Sequence, residues 1–210
     1  MVRSSLLSLL TGLLLCLASC SDDADIAPPY RMDMGEAVTD ATGRVASVLF
    51  DDGRSLMAKN NYYVQQKNAS FRALAVYVEE GNYATLAQVL NVLTSDLLTR
   101  QPNDAEFDPV RPVSIWRSRQ YLNCPLRVPS GPAAKVHTLG AALTGVTQRP
   151  DGKATAELRF LHKQGGDDSY YYRDVYYSCN LTPLNNYPLV DSLRLTVVTD
   201  RGESVYLFAR

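Results

Sequence analysis

From residue 113 to the C-terminus the chain repeats one cadence, a short apolar run followed by turn residues. The runs cover 113–116, 121–128, 139–147, 154–162, 170–181, 192–199 and 204–209. Between them stand Pro129-Ser130-Gly131-Pro132, Pro150-Asp151-Gly152, Gly165-Gly166-Asp167-Asp168 and Asp200-Arg201-Gly202, residues that favour turns for distinct backbone reasons. Seven short strands in about 105 residues predict an antiparallel β-sandwich over 101–210. Thirteen tyrosines against one tryptophan and five phenylalanines tilt the aromatic content toward strand formers.

The first half reads less clearly. Residues 45–50 predict a strand closed by Asp51-Asp52-Gly53, and 71–78 (FRALAVYV) alternate as a strand does. Residues 84–98 are ambiguous. Leu86, Val89/Leu90, Leu93 and Leu97 recur at helical spacing, yet Val-Leu-Asn-Val-Leu reads equally as a strand. The polar, proline-containing stretch 101–109 (QPNDAEFDP) is the best domain boundary. It separates a first domain at 38–100 from the sandwich.

The N-terminus carries an address. Arg3 precedes an apolar run over 6–18, shorter than the roughly 20 residues a spanning helix needs. A positive start, a short apolar core and small residues at its end describe a secretory signal peptide over 1–19. Leu17-Ala18-Ser19-Cys20 resembles the lipobox of bacterial lipoproteins. That resemblance implies cleavage before Cys20 and acylation of its thiol, as with palmitate. One acyl chain holds a protein only marginally and two or more hold it stably, so the membrane is an expected partner through Cys20. The acidic stretch Ser21-Asp22-Asp23-Ala24-Asp25 resembles the export signal of surface-displayed lipoproteins and opens a tether over 20–37, stiffened by Pro28-Pro29. The expected location is the cell envelope, at the outer membrane and surface-exposed.

Charge excludes one class of partner. The chain has 21 basic and 22 acidic residues, a formal net charge of −1, where nucleic-acid binders show a basic domain or stripe. Over 38–98, Arg44, Arg54, Lys59, Lys67 and Arg72 face Asp40, Asp51, Asp52, Glu79, Glu80 and Asp96, which is slightly acidic. Single-strand binders need a basic groove instead. No nucleic acid is expected.

Local catalytic and metal motifs are missing from the sequence, so no catalytic residue, metal site or cofactor is expected. His137 and His162 are too far apart for a local metal pattern and read as ordinary surface histidines. Asp51-Asp52 and Asp167-Asp168 stand beside glycine and read as turn chemistry rather than acid–base pairs. Strand alternation points Cys124 and Cys179 into the presumed core, either as a disulfide or as two buried thiols. Tyr170, Tyr172 and Tyr176 share the opposite face, with Asp174 between them. Such a row either stacks on a ligand or packs across strands.

Several stretches resemble the NigD-like lipoproteins: FDPVRPVSIWRSRQYLNCPL (107–126), KATAELRFL (153–161), YYYRDVYYSCNLTPL (170–184) and DSLRLT (191–196). The resemblance implies a small OB-like barrel ahead of the sandwich, a strand at 87–93 against the helical spacing, and a possible bacteriocin-immunity role. No catalytic residue carries over. The expected function is a non-catalytic envelope protein that recognises a protein, peptide or glycan. The alternatives are a hydrolase with a dispersed site using His137 or His162, and a purely structural envelope component.

Overall fold

The computed structural model describes residues 29–103, 106–133 and 135–209. The signal peptide, Cys20 and the tether up to residue 28 lie outside them. The described residues form fourteen strands, labelled in chain order: β1 (Arg31–Thr39), β2 (Val45–Phe50), β3 (Ser55–Ala58), β4 (Ser70–Glu80), β5 (Tyr83–Asn91), β6 (Leu93–Asp96), β7 (Arg111–Pro112), β8 (Trp116–Ser118), β9 (Tyr121–Ser130), β10 (Thr138–Gln148), β11 (Ala154–Lys163), β12 (Tyr171–Asn180), β13 (Val190–Thr199) and β14 (Gly202–Ala209).

Strands β1 to β5 close into a barrel in the order β1-β2-β3-β5-β4. A five-stranded barrel of this kind is the OB-like architecture. Its core gathers Val45, Val48, Phe50, Leu56, Tyr77 and Leu86, with the Phe50 and Tyr77 rings stacked 4.6 Å apart. The sandwich has two layers. One sheet runs β10-β11-β13-β14, the other β6-β12-β9-β7 with β8 also on β9. Leu122, Leu126, Leu158, Phe160, Leu193 and Leu195 fill the space between them. The chain is thus all-β, a small barrel followed by a sandwich.

At 84–98 the strand reading implied by the resemblance is the one that forms, and the helical spacing belongs to two strands, β5 and β6. The β4–β5 register pairs Val76 with Gln88 but Tyr77 with Leu86, so Ala87 bulges out of the ladder. A bulge inserts one residue and resets the alternation. Leu86 and Val89 therefore both point inward three residues apart, which imitates a helical face. The strand read at 113–116 needs correction, because residues 113–115 connect β7 to β8 and only Trp116 is in a strand, as the first residue of β8. The domain border also lies earlier than 101, because β6 already pairs in parallel with β12 of the sandwich. At the other end, β1 begins at Arg31, inside the stretch read as tether.

Candidate functional site

The two modules meet through one buried polar cluster. Arg72 on β4 is only 5% exposed. Both of its terminal nitrogens donate to the Asp51 carboxylate in the β2–β3 turn. Arg72 Nη2 also donates to Asn123 Oδ1 on β9 at 2.7 Å, and Nε to Ser178 Oγ on β12 at 3.3 Å. Asp51 in turn accepts from Ser118 Oγ at 2.6 Å and Asn123 Nδ2 at 3.1 Å. The Tyr121 ring lies under the guanidinium, 4.4 Å from centroid to Cζ. A buried ion pair is tolerable only when further hydrogen bonds satisfy its remaining donors and acceptors, and here both modules supply them. Asp51, expected to be turn chemistry, is instead the carboxylate that locks the barrel to the sandwich.

Beside this lock the modules leave a cleft of about 600 Å³. Its floor is Met34 and Leu74 from the barrel and Trp116 and Tyr176 from the sandwich, which pack as one apolar cluster. Met32 on the barrel wall and Val113 on the sandwich wall are exposed at its rim. Asp33, Asp51 and Asp52 supply the only charges among the lining residues. At Asp52, burial works against ionisation, but hydrogen bonds from the Arg54 backbone and side chain hold the carboxyl below its ordinary range. The volume and the apolar lining with a few convergent polar groups match what small binding sites use.

The tyrosine row does not act as one surface. Tyr176 enters the cleft floor. The Arg111 guanidinium stacks on one face of the Tyr172 ring, 3.9 Å from its centroid, while Tyr172 stays exposed, and Arg111 also pairs with Asp200 at 2.7 Å. Tyr170 stands exposed beyond them. Asp174 between them pairs with Arg127 at 3.0 Å across the β12–β9 ladder.

Cys124 and Cys179 do point into the sandwich core, as free thiols rather than a disulfide. Cys124 sits opposite Tyr177 and Cys179 opposite Leu122, so the pair is diagonal across β9 and β12. Diagonal neighbours lie roughly 7–8 Å apart, too far to bridge without backbone movement. Burial pushes both thiols up, Cys179 to about 12, so neither is a ready nucleophile.

The histidines are not on the surface. The β10–β11 register and the segments flanking it bring His137, His162 and Asp167 together, with side chains 3% exposed for His137 and 1% for Asp167, and His162 1% exposed overall. His162 Nδ1 lies 3.1 Å from the carbonyl oxygen of Asp108, which can only accept. His162 Nδ1 is therefore the protonated nitrogen, and its Nε2 accepts from His137 Nδ1 at 2.9 Å. His137 Nε2 faces Asp167 Oδ2 at 3.3 Å. Asp167 also accepts from the Gly131 backbone at 3.1 Å, the first cause holding its carboxyl below the ordinary range. Burial, then the neighbouring His137, lowers the pKa of His162. These contacts pin Gly131 and His137 to the 164–169 loop. Among the described residues no cluster of three or more histidine, cysteine or acidic side chains could hold a metal ion.

Neither polar cluster has a local sequence signature. The available hint was Arg72 itself, a charge between Phe71 and Ala73 inside an apolar strand, since an arginine so placed needs a buried partner.

The model of the NigD-like C-terminal beta sandwich domain matches residues 96–209. No curated protein matches the chain. Among solved structures, the chain is similar to a NigD-like immunity protein from Bacteroides caccae, at 20% identity and a TM-score of 0.65, with 87% of this chain and 98% of that chain covered. It is similar to a protein named as toxin-related from Parabacteroides distasonis, at 20% identity and a TM-score of 0.67, covering 86% and 93%. A protein named as a lipoprotein from Bacteroides fragilis aligns at 13% identity and a TM-score of 0.62, covering 87% and 98%. At these identities the three show a shared barrel-and-sandwich fold, and with the sandwich model spanning more than half of its length the chain belongs to the NigD-like family.

Proposed function

We propose that this protein is a lipid-anchored envelope protein that works by binding a polypeptide without transforming it, in an immunity-type or accessory role. The observation that carries this reading is the preformed cleft, held open between two modules by the Arg72–Asp51 lock. Most groups that could do chemistry are engaged elsewhere. The histidines and Asp167 staple two loops below the surface, and the cysteines are core residues. The names of the Bacteroides caccae and Parabacteroides distasonis relatives accord with an immunity or toxin-linked role, and that of the Bacteroides fragilis relative with a lipid anchor.

The hydrolase alternative draws on one contact, His137 to Asp167. A general base must reach the proton it abstracts from a substrate or nucleophile, and every ring nitrogen of His137 and His162 is already turned to a protein partner.

The anchor is tested by growing Gram-negative cells with labelled palmitate and treating them intact with protease. Wild type that labels and is shaved from cells, beside a Cys20→Ala variant that does not label, supports the reading. Unlabelled wild type overturns the anchor, and with it the outer-membrane placement.

A further inference from the structure

We infer that the interdomain cleft takes a basic, amphipathic peptide segment, with apolar side chains on its floor and a lysine or arginine at its acidic end. This deepens the binding role proposed above and rests on it.

The floor and the acidic end are built differently. Met34, Leu74, Trp116 and Tyr176 present an apolar surface continuous across both modules. Met32 and Val113 extend it up opposite walls, each more than half exposed. Methionine adapts its shape to varied apolar partners, and aromatic rings give contact area at low entropic cost. About 600 Å³ holds a few side chains rather than a whole domain.

At the acidic end the sign of the charge is set by what surrounds it. Lysine, arginine and histidine are absent from the lining residues. Asp51 is spent on Arg72, Ser118 and Asn123. Asp33 and Asp52 belong to a network in which Arg31 and Arg54 serve three carboxylates, those of Asp33, Asp52 and Glu79. The network is therefore one cation short. The side chain of Asp52 is about half exposed and accepts only from Arg54. A lysine or arginine entering the cleft at Asp52 completes the network, and complementary charge raises both specificity and encounter rate. An anionic ligand finds no donor cation. A sugar needs hydrogen-bonding groups around its ring, whereas the accessible surface of this cleft is mostly apolar, with Met32, Met34, Phe50, Leu74, Val113 and Pro125 offering no such group.

Trp116 is the chain's single tryptophan, so intrinsic emission reads the cleft directly. The purified protein is titrated with a twelve-residue peptide of leucine and lysine patterned as an amphipathic helix, and with its counterpart carrying glutamine for lysine. The expected result is a saturable emission shift with the lysine peptide, at least tenfold weaker with the glutamine peptide. Asp52→Asn should bring the two peptides together, because asparagine keeps the turn hydrogen bond to the Arg54 amide but loses the charge. Val113→Lys should abolish the lysine peptide's signal.

Equal affinity for both peptides overturns the charge-selective inference and leaves the cleft as a polypeptide site. A response to neither peptide overturns the polypeptide cleft itself, and a shift with neutral oligosaccharides alone assigns it to glycan. Lysine-peptide binding unchanged in Val113→Lys places binding elsewhere on the protein and overturns the inference.

Discussion

His137 Nδ1 lies 2.9 Å from His162 Nε2, with the far nitrogens of the two rings on Asp167 and on the Asp108 carbonyl. One proton fits between the rings. A second, on His162 Nε2, would face the first across the same gap.

Stability should therefore fall on acidification in two separable stages. Burial lowers His162 below 6.5, so the folded state holds fewer protons than the unfolded one near and below that pH. Its contribution is complete above about 6.5 and is lost as pH falls from there through the folded value. Asp167, held below 3.8 first by the Gly131 amide, adds a second loss below pH 3.8. Urea midpoints measured from pH 8 to pH 3 should show the first drop in wild type and a flatter profile in His162→Gln. A parallel decline in both proteins would remove His162 as its cause.

Arg72→Ala should cost about 3–5 kcal/mol, because it leaves the Asp51 carboxylate buried without its cation. Denaturant unfolding followed by Trp116 emission measures it. The double variant Arg72→Ala/Asp51→Ala should be less destabilised than the sum of the singles, since each removal strands the other partner. Strict additivity would mean the two groups do not act as a pair.

Gly35→Ala should destabilise by roughly 1–3 kcal/mol, the usual cost of overpacking. A Cβ there would stand 2.6 Å from the Leu49 carbonyl oxygen and 3.0 Å from Phe50 Cα on the neighbouring strand. Both are backbone atoms and cannot swing aside, so the β1–β2 pairing must open. Thermal unfolding checks this, and an unchanged midpoint would show that β1 is free to shift.

Cys124 and Cys179 should stay unreactive toward a disulfide reagent at pH 8 while the protein is folded. Both should titrate at once in denaturant. Burial raises both thiols, Cys179 to about 12, and neither is accessible. Fast labelling of either in native buffer would mean that the sandwich opens between β9 and β12.

The sandwich was the legible half. Its strands alternate cleanly and its turns carry glycine and aspartate at the positions that close them, so β9 to β14 follow the runs read from sequence to within about two residues at either end. The barrel was harder. β1 carries Arg31, Asp33 and Glu36 among its apolar residues, whose charges are used in surface pairs and in the Tyr121 hydrogen bond, and that masks the strand pattern. In β5 the bulge at Ala87 converted a period of two into an apparent three. Of the polar clusters, only Arg72 left a trace in the sequence. Arg72 and Asn123 are 51 residues apart, and His137 and His162 are 25 apart. Only register and module docking bring such groups together, and neither is written locally.

The parallel pairing of β6 with β12 also bears on how this chain can be divided. A cut at Gln101, where the sequence looks most like a linker, would send Leu93–Asp96 away with the barrel. The severed sandwich would keep β12 with a raw edge over Tyr177–Asn180, and unpaired edges of this kind recruit strands from other molecules. It would also lose Ser95, whose hydroxyl is 2.7 Å from the Tyr177 hydroxyl. The modules share a strand as well as a border, so a working fragment must begin upstream of Leu93.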